Sequence, residues 1–214
     1  MRLAELSEQG QVPIATIKYY LREGLLPPGR RVNATRAEYD DTHLRRLRLV
    51  RAMVQVGRIP VATVREVLAH VDDESLGRTM RLGAALWALP RAAEQEPDDP
   101  AVLAATREVE RMLARLGWAD VAEIGALSPV YRELVAAVAT FGRLGYPLDA
   151  DDLIPYAEQM RQTAVHDLDR MEREPTPVEQ VETAVAAAVL FEPVLLGLRR
   201  LAQQQESTRR FGLH

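Results

Sequence analysis

Apolar side chains recur every three or four positions along most of the chain, the period of helices buried on one face. Leu3 and Leu6 open a first helix that stops at Gly10. Pro13, tolerated at a first helical position, starts a second that Gly24 ends, with Ile14, Ile17 and Leu21 as its inner stripe. The carboxylates Asp40 and Asp41 cap a third, running to Gly57 with Leu44, Leu47 and Val54 inward. A fourth follows Pro60 and carries Val61, Val64 and Leu68. Leu76, Met80, Gly83 and Trp87, spaced 4, 3 and 4, form a brief heptad-like seam on a short helix over 74–89 that Pro90 ends. Further helices are predicted over 101–116, 129–144, 151–173 and 177–204, the last bent at Pro193. Ser128-Pro129 caps one of these, and Thr176-Pro177-Val178-Glu179 spells a capping box for the last. Only residues 28–39 break the period, where Gly29, Asn33 and Thr35 punctuate a basic stretch that reads as a small hairpin. The expectation is an all-α protein with one β-hairpin. It divides into domains at 1–72 and 101–214, joined by a short helix and linker over 73–100 centred on Gln95-Glu96-Pro97-Asp98-Asp99-Pro100.

Composition narrows the chemistry. The 214 residues include no Cys, which removes disulfides, thiolate metal sites and Cys nucleophiles together. Four His, at 43, 70, 166 and 214, are scattered, and no metal site, cofactor motif or catalytic constellation is recognisable, so no enzyme is expected. The most apolar stretch, residues 181–201, is interrupted by Glu182, Glu192, Pro193, Arg199 and Arg200, and a membrane span is not expected. The N-terminus has no apolar secretory core, and a cytoplasmic protein is expected. The net charge of −4 conceals two opposite halves. Residues 1–70 hold 12 basic and 7 acidic side chains, net +5, and the remainder 15 and 24, net −9. A basic N-terminal part on an acidic body points to a polyanionic partner for the former.

The second helix sharpens that. Opposite Ile14, Ile17 and Leu21 lie Ala15, Thr16, Tyr19, Tyr20 and Glu23, flanked by Lys18 and Arg22. Hydroxyls and cations meet phosphates, and small side chains let a helix approach base edges. The hairpin follows at once with Arg30, Arg31 and Arg36, giving helix, turn, helix and basic wing.

These residues resemble the MerR family of bacterial transcription regulators, over the whole length of its DNA-binding domain. The matching pieces are Arg2-Leu3-Ala4-Glu5-Leu6, Thr16-Ile17-Lys18-Tyr19-Tyr20 and Glu23-Gly24-Leu25-Leu26-Pro27-Pro28, followed by Tyr39-Asp40, Leu44-Arg45-Arg46-Leu47 and Val64-Arg65-Glu66-Val67-Leu68. The resemblance implies a homodimer that binds near-palindromic double-stranded operators and acts on RNA polymerase indirectly, by distorting the promoter when an effector is bound. Carried over by position, Thr16, Lys18, Tyr19, Tyr20 and Arg22 belong to the recognition helix, Arg30, Arg31, Arg36 and Tyr39 to the first wing, and Arg58 to the second. Three departures stand out. Pro13 occupies a position where many members carry Ser or Thr. The wing reads Ala34-Thr35-Arg36-Ala37-Glu38 instead of Ser-Gly-Tyr-Arg. Pro90 shortens the dimerisation helix to roughly four turns.

Residues 101–214 carry no motif. Aromatics make up 5% of the chain, and Trp118, Tyr131, Phe141 and Tyr156, with Glu192, are candidates to line a pocket for a small organic effector, neutral or cationic. Two alternatives are a regulator without an effector, whose C-terminal part only dimerises or binds a protein, and a drug-sequestering binder.

Overall fold

A computed structural model describes residues 1–33, 36–90, 96 and 98–212, with Arg36 described by its backbone alone. It is all-α with one hairpin: ten α-helices and a two-stranded antiparallel sheet among the described residues. Two compact units emerge, one made of Met1–Leu89 with Met171–His214, the other of Pro90–Arg170.

The first unit opens with α1 (Leu3–Gly10) and α2 (Ile14–Arg22), followed by β1 (Arg30–Asn33) and β2 (Arg36–Glu38). Arg30 pairs with Glu38 and Arg31 with Ala37 in the ladder. Next come α3 (Asp41–Arg51), a π turn over Ala52–Val56, α4 (Val61–Asp72) and α5 (Arg78–Trp87). Asp40 caps α3, accepting from the backbone N–H groups of Thr42 and His43 at 3.0 and 3.3 Å. The turn between α1 and α2 differs from the expectation at Gly10. The left-handed residue is Gln11, and Gly10 is glycine because a Cβ there would lie 2.5 Å from Leu47 Cδ2. Ile14 is exposed, and Tyr20 takes its place beside Ile17 in the buried stripe of α2. His43 is buried, edge-on to the Tyr39 ring.

The helix α10 (Pro177–Phe211) belongs to this unit, although periodicity grouped it with the C-terminal part. Its capping box forms as read: Thr176 Oγ1 accepts from Glu179 N, and the Glu179 carboxylate accepts from Thr176 N. Val181, Val185 and Val189, at helical spacing, join Leu47, Val50, Met53, Val67 and Val71 in a single core. The helix runs through Pro193 and continues to Phe211, beyond the expected end. By length and composition it could cross a membrane, with mean hydropathy 1.8 over its most apolar window, of which 22% is buried.

The second unit contains α6 (Pro100–Leu116), α7 (Ala119–Ile124), a 3-10 turn, α8 (Pro129–Arg143) and most of α9 (Ala150–Met171). Its core is local. Ala105, Val109, Met112 and Leu113 of α6 meet Tyr131, Val135, Val138 and Ala139 of α8.

Candidate nucleic-acid interface

Two contacts set the recognition helix from behind. Arg51 on α3 donates to the Gly10 carbonyl at 3.2 Å, fixing the turn. Arg65 on α4 donates to the Glu23 carbonyl at 3.0 Å and to its carboxylate at 2.9 Å, fixing the end of α2. Sequence reasoning had not singled out either contact, since each joins positions about forty residues apart.

With α2 held in this way, Lys18 and Arg22 are exposed, and Thr16 and Tyr19 are half-buried. Arg22 stacks its guanidinium 5.3 Å from the Tyr19 ring centroid, a cation–π contact that keeps the charge outward. Tyr20 and Tyr39 behave differently from the other site residues. Both rings are buried in the core, so they support the surface instead of standing free for a groove. Burial, reinforced by Tyr19, raises the Tyr20 phenol above its ordinary pKa and keeps it neutral. On the wing, Arg31 is exposed and Arg30 is exposed while ion-paired to Glu38. The Arg36 backbone lies in β2, and its side chain is outside the described residues, as are Ala34 and Thr35. Arg58 is exposed beyond the π turn with φ of 51°, a left-handed conformation unusual for an arginine. Lys18, Tyr19 and Arg22 thus share the outer side of one helix, with Thr16 half-buried at its edge, followed in the chain by a basic hairpin.

Arg45 and Arg46, beside this surface on α3, have acidic partners on α10. Arg46 is buried and donates through Nε to Glu182 at 2.7 Å and through both terminal nitrogens to Asp72. Arg45 bonds Glu179 at 2.6 Å and Glu182 at 3.2 Å. Burial opposes the Arg46 charge, yet the hydrogen bonds to Asp72 and the field of Glu182 outweigh it and raise its pKa.

The five residues read as effector lining are dispersed. Tyr131 is a core residue of the second unit, Trp118 packs beside the same cluster, and Phe141 and Tyr156 are exposed. Glu192 is an exposed residue of α10 in the first unit, with water to solvate its carboxylate. No group of His, Asp and Glu among the described residues could hold a metal ion.

Two helices around a tight turn, a basic hairpin and an outward polar helix face define a winged helix-turn-helix DNA-binding protein. The family model described as MerR HTH family regulatory protein matches residues 1–71. A crystal structure of the "putative transcriptional regulator SCO5550 from Streptomyces coelicolor A3(2)" is 61% identical, with all of this chain and 99% of that one aligned at a TM-score of 0.86. The chain belongs to the MerR family of DNA-binding transcription regulators. No curated protein matches the sequence.

Proposed function

We propose that the protein is a cytoplasmic, homodimeric regulator that binds a near-palindromic operator and modulates RNA polymerase at the promoter in response to a small organic effector. The observation that carries this reading is the outer face of α2, where Lys18, Tyr19 and Arg22 oppose the buried Ile17 and Tyr20, with Thr16 half-buried at its edge and Arg30 and Arg31 on the wing. Lys18, Arg22 and the wing arginines neutralise phosphates, Thr16 approaches base edges, and Arg58 reaches the backbone from the second wing. Operator affinity should fall steeply as salt rises, because each neutralised phosphate releases condensed counterions. In fluorescence titrations over a salt series, Lys18→Ala and Arg31→Ala should each weaken binding to all sequences and flatten the slope by about 1. Slopes unchanged in both variants overturn the assignment.

The acidic balance beyond residue 70 and the aromatics Trp118, Phe141 and Tyr156 favour a neutral or cationic amphipathic effector. Tyr131 lies in the core cluster against which Trp118 packs, and the exposed Glu192 is left out. A thermal-shift panel of lipophilic cations, neutral aromatics and organic anions tests the class. Stabilisation by anions alone, or by none of the panel, argues for the regulator without an effector.

A further inference from the structure

The ion pairs that join α10 to α3 form part of the wall of a cleft of about 650 Å³, a size within the range of small-molecule sites. It lies wholly within the first unit, between α3, α5 and the start of α10. Its floor is buried and charged, with Arg46, Arg81, Glu179 and Glu182. Its rim is exposed at Pro27, Glu74 and Pro177, with Val178 half-buried. Arg81 sets the chemistry. Only 4% exposed, it donates through Nε to the Val71 carbonyl at 2.9 Å, and its Nη2 meets no hydrogen-bond acceptor among the described residues. A guanidinium carries only donors, and leaving one of them unmet in a buried position is costly. The neighbouring charges show what kind of acceptor is missing. Arg45 and Arg46 share the carboxylates of Glu179, Glu182 and Asp72, one more than they balance. Arg81 is the third cation of this cluster, so its charge is already matched, and the exposed Glu74 adds a negative charge at the rim. The cleft therefore lacks a hydrogen-bond acceptor and not a counter-charge. An anion would only add to an acidic excess.

We propose that this cleft binds a small uncharged organic molecule, an amide or ketone, whose carbonyl oxygen accepts from the Arg81 guanidinium while its apolar body lies against Pro27, Pro177 and Val178. A second donor stands in the same wall. Thr176 Oγ1 accepts from Glu179 N in the capping box, which leaves its hydroxyl proton to donate to the ligand. A hydrogen bond to a charged donor is worth more than one between neutral groups, so Arg81 supplies orientation and the apolar rim supplies area. Once occupied, the cleft links α10 to α3 and α5 through one bound molecule. The site is independent of the effector reading above, whose aromatics lie in the other unit.

The test uses the full-length protein and matched probes on one skeleton: 3-phenylpropanamide, 3-phenylpropanoate and 3-phenylpropylamine, titrated by calorimetry. The amide should bind at millimolar concentration or below, more tightly than the carboxylate or the amine. Arg81→Met should weaken the amide by roughly tenfold or more, the worth of a hydrogen bond to a charged group. Val178→Trp gives a reading that does not depend on removing a buried cation. It leaves Arg81 in place, fills the cleft from its half-buried wall, and should abolish amide binding with an unchanged circular dichroism spectrum. Undiminished amide binding in Val178→Trp, or in a folded Arg81→Met, overturns the site and leaves the effector reading standing. Tighter binding of the carboxylate overturns the charge argument and identifies an anion as the occupant, and tighter binding of the amine transfers recognition to Glu74 and likewise overturns it. A wild-type protein that takes up none of the probes has a cleft for water only, which overturns the inference whatever the thermal-shift panel shows.

Discussion

The two compact units are built on opposite plans. The unit of Pro90–Arg170 draws its core from neighbours in sequence, α6 against α8, and its ion pairs, such as Arg115 with Asp151 at 2.6 Å, lie at the surface. The DNA-binding unit closes over two segments separated by the whole of the other unit, and the join is a part-buried charge network linking Arg45 and Arg46 to Glu179, Glu182 and Asp72. Surface pairs contribute little, whereas a buried pair becomes costly once one partner is removed. The winged helix-turn-helix is therefore not self-sufficient in this chain. A helix arriving from the far end completes its core.

The largest expected effect breaks this join. Glu182→Ala leaves the Arg46 guanidinium buried with Asp72 as its remaining partner, and should destabilise the DNA-binding unit by about 3 kcal/mol. Chemical denaturation followed by near-UV circular dichroism would measure it. The double variant Arg46→Met with Glu182→Leu should recover most of the loss, because an apolar pair of similar volume needs no desolvation. A single variant as stable as wild type would mean that α10 is only laid against the unit.

Against this background, the limits of sequence reading have a physical explanation. The helices of residues 3–22 and the basic hairpin were legible because caps, glycines and apolar spacing are local signals, although the inner stripe of α2 holds Tyr20 in place of Ile14. The return of α10 was not legible. An amphipathic stripe such as Val181, Val185 and Val189 states that a face is buried, without stating against what. Glu179 read as a capping-box residue and Glu182 as a break in an apolar stretch, and their ion pairs were not legible because the partners stand more than 130 residues away. Gly10 looked like a turn glycine, and its need for close approach to Leu47 is visible only once α3 is in place. Tyr20 and Tyr39 illustrate the same limit at the interface, since a motif fixes their positions but only packing fixes which way the rings face.

The comparison sharpens with a cavity in the other unit. Val109→Ala should cost about 2 kcal/mol by opening space between α6 and α8. Because that core is separate, operator affinity should stay within twofold of wild type, and unfolding should become biphasic with the Pro90–Arg170 unit melting first. A single cooperative transition shifted as a whole would show that the two cores unfold as one.

A smaller effect probes how α10 reaches the second wing. A Cβ at Gly57 would lie 2.8 Å from Val189 Cγ1 and 3.0 Å from the Met53 carbonyl oxygen, next to Arg58. Gly57→Ala should therefore cost about 1 to 2 kcal/mol through overpacking. It should weaken operator binding through a displaced Arg58, and adding Val189→Ala should restore part of both by removing the contacting methyl. Additive losses in the double variant would place the strain in the Met53 carbonyl alone, without involvement of α10.

The smallest effect belongs to a local signal, and it separates local from long-range stabilisation by pH. Asp40 is exposed and caps α3 from inside the DNA-binding unit. Hydrogen bonds from Thr42 and His43 hold its carboxyl well below the ordinary carboxylate value. A depressed carboxylate contributes stability that is complete above its unfolded pKa of ~3.9 and is lost as pH falls from there toward the folded value. Asp40→Ala should cost about 1 kcal/mol near neutral pH, the usual worth of an N-cap. The difference between wild type and variant should stay constant from pH 7 to about 5, then shrink as acid protonates the cap in the wild type. If the Asp40 difference instead grows on acidification, the carboxylate is not the capping species and the helix start is held by the buried His43 ring.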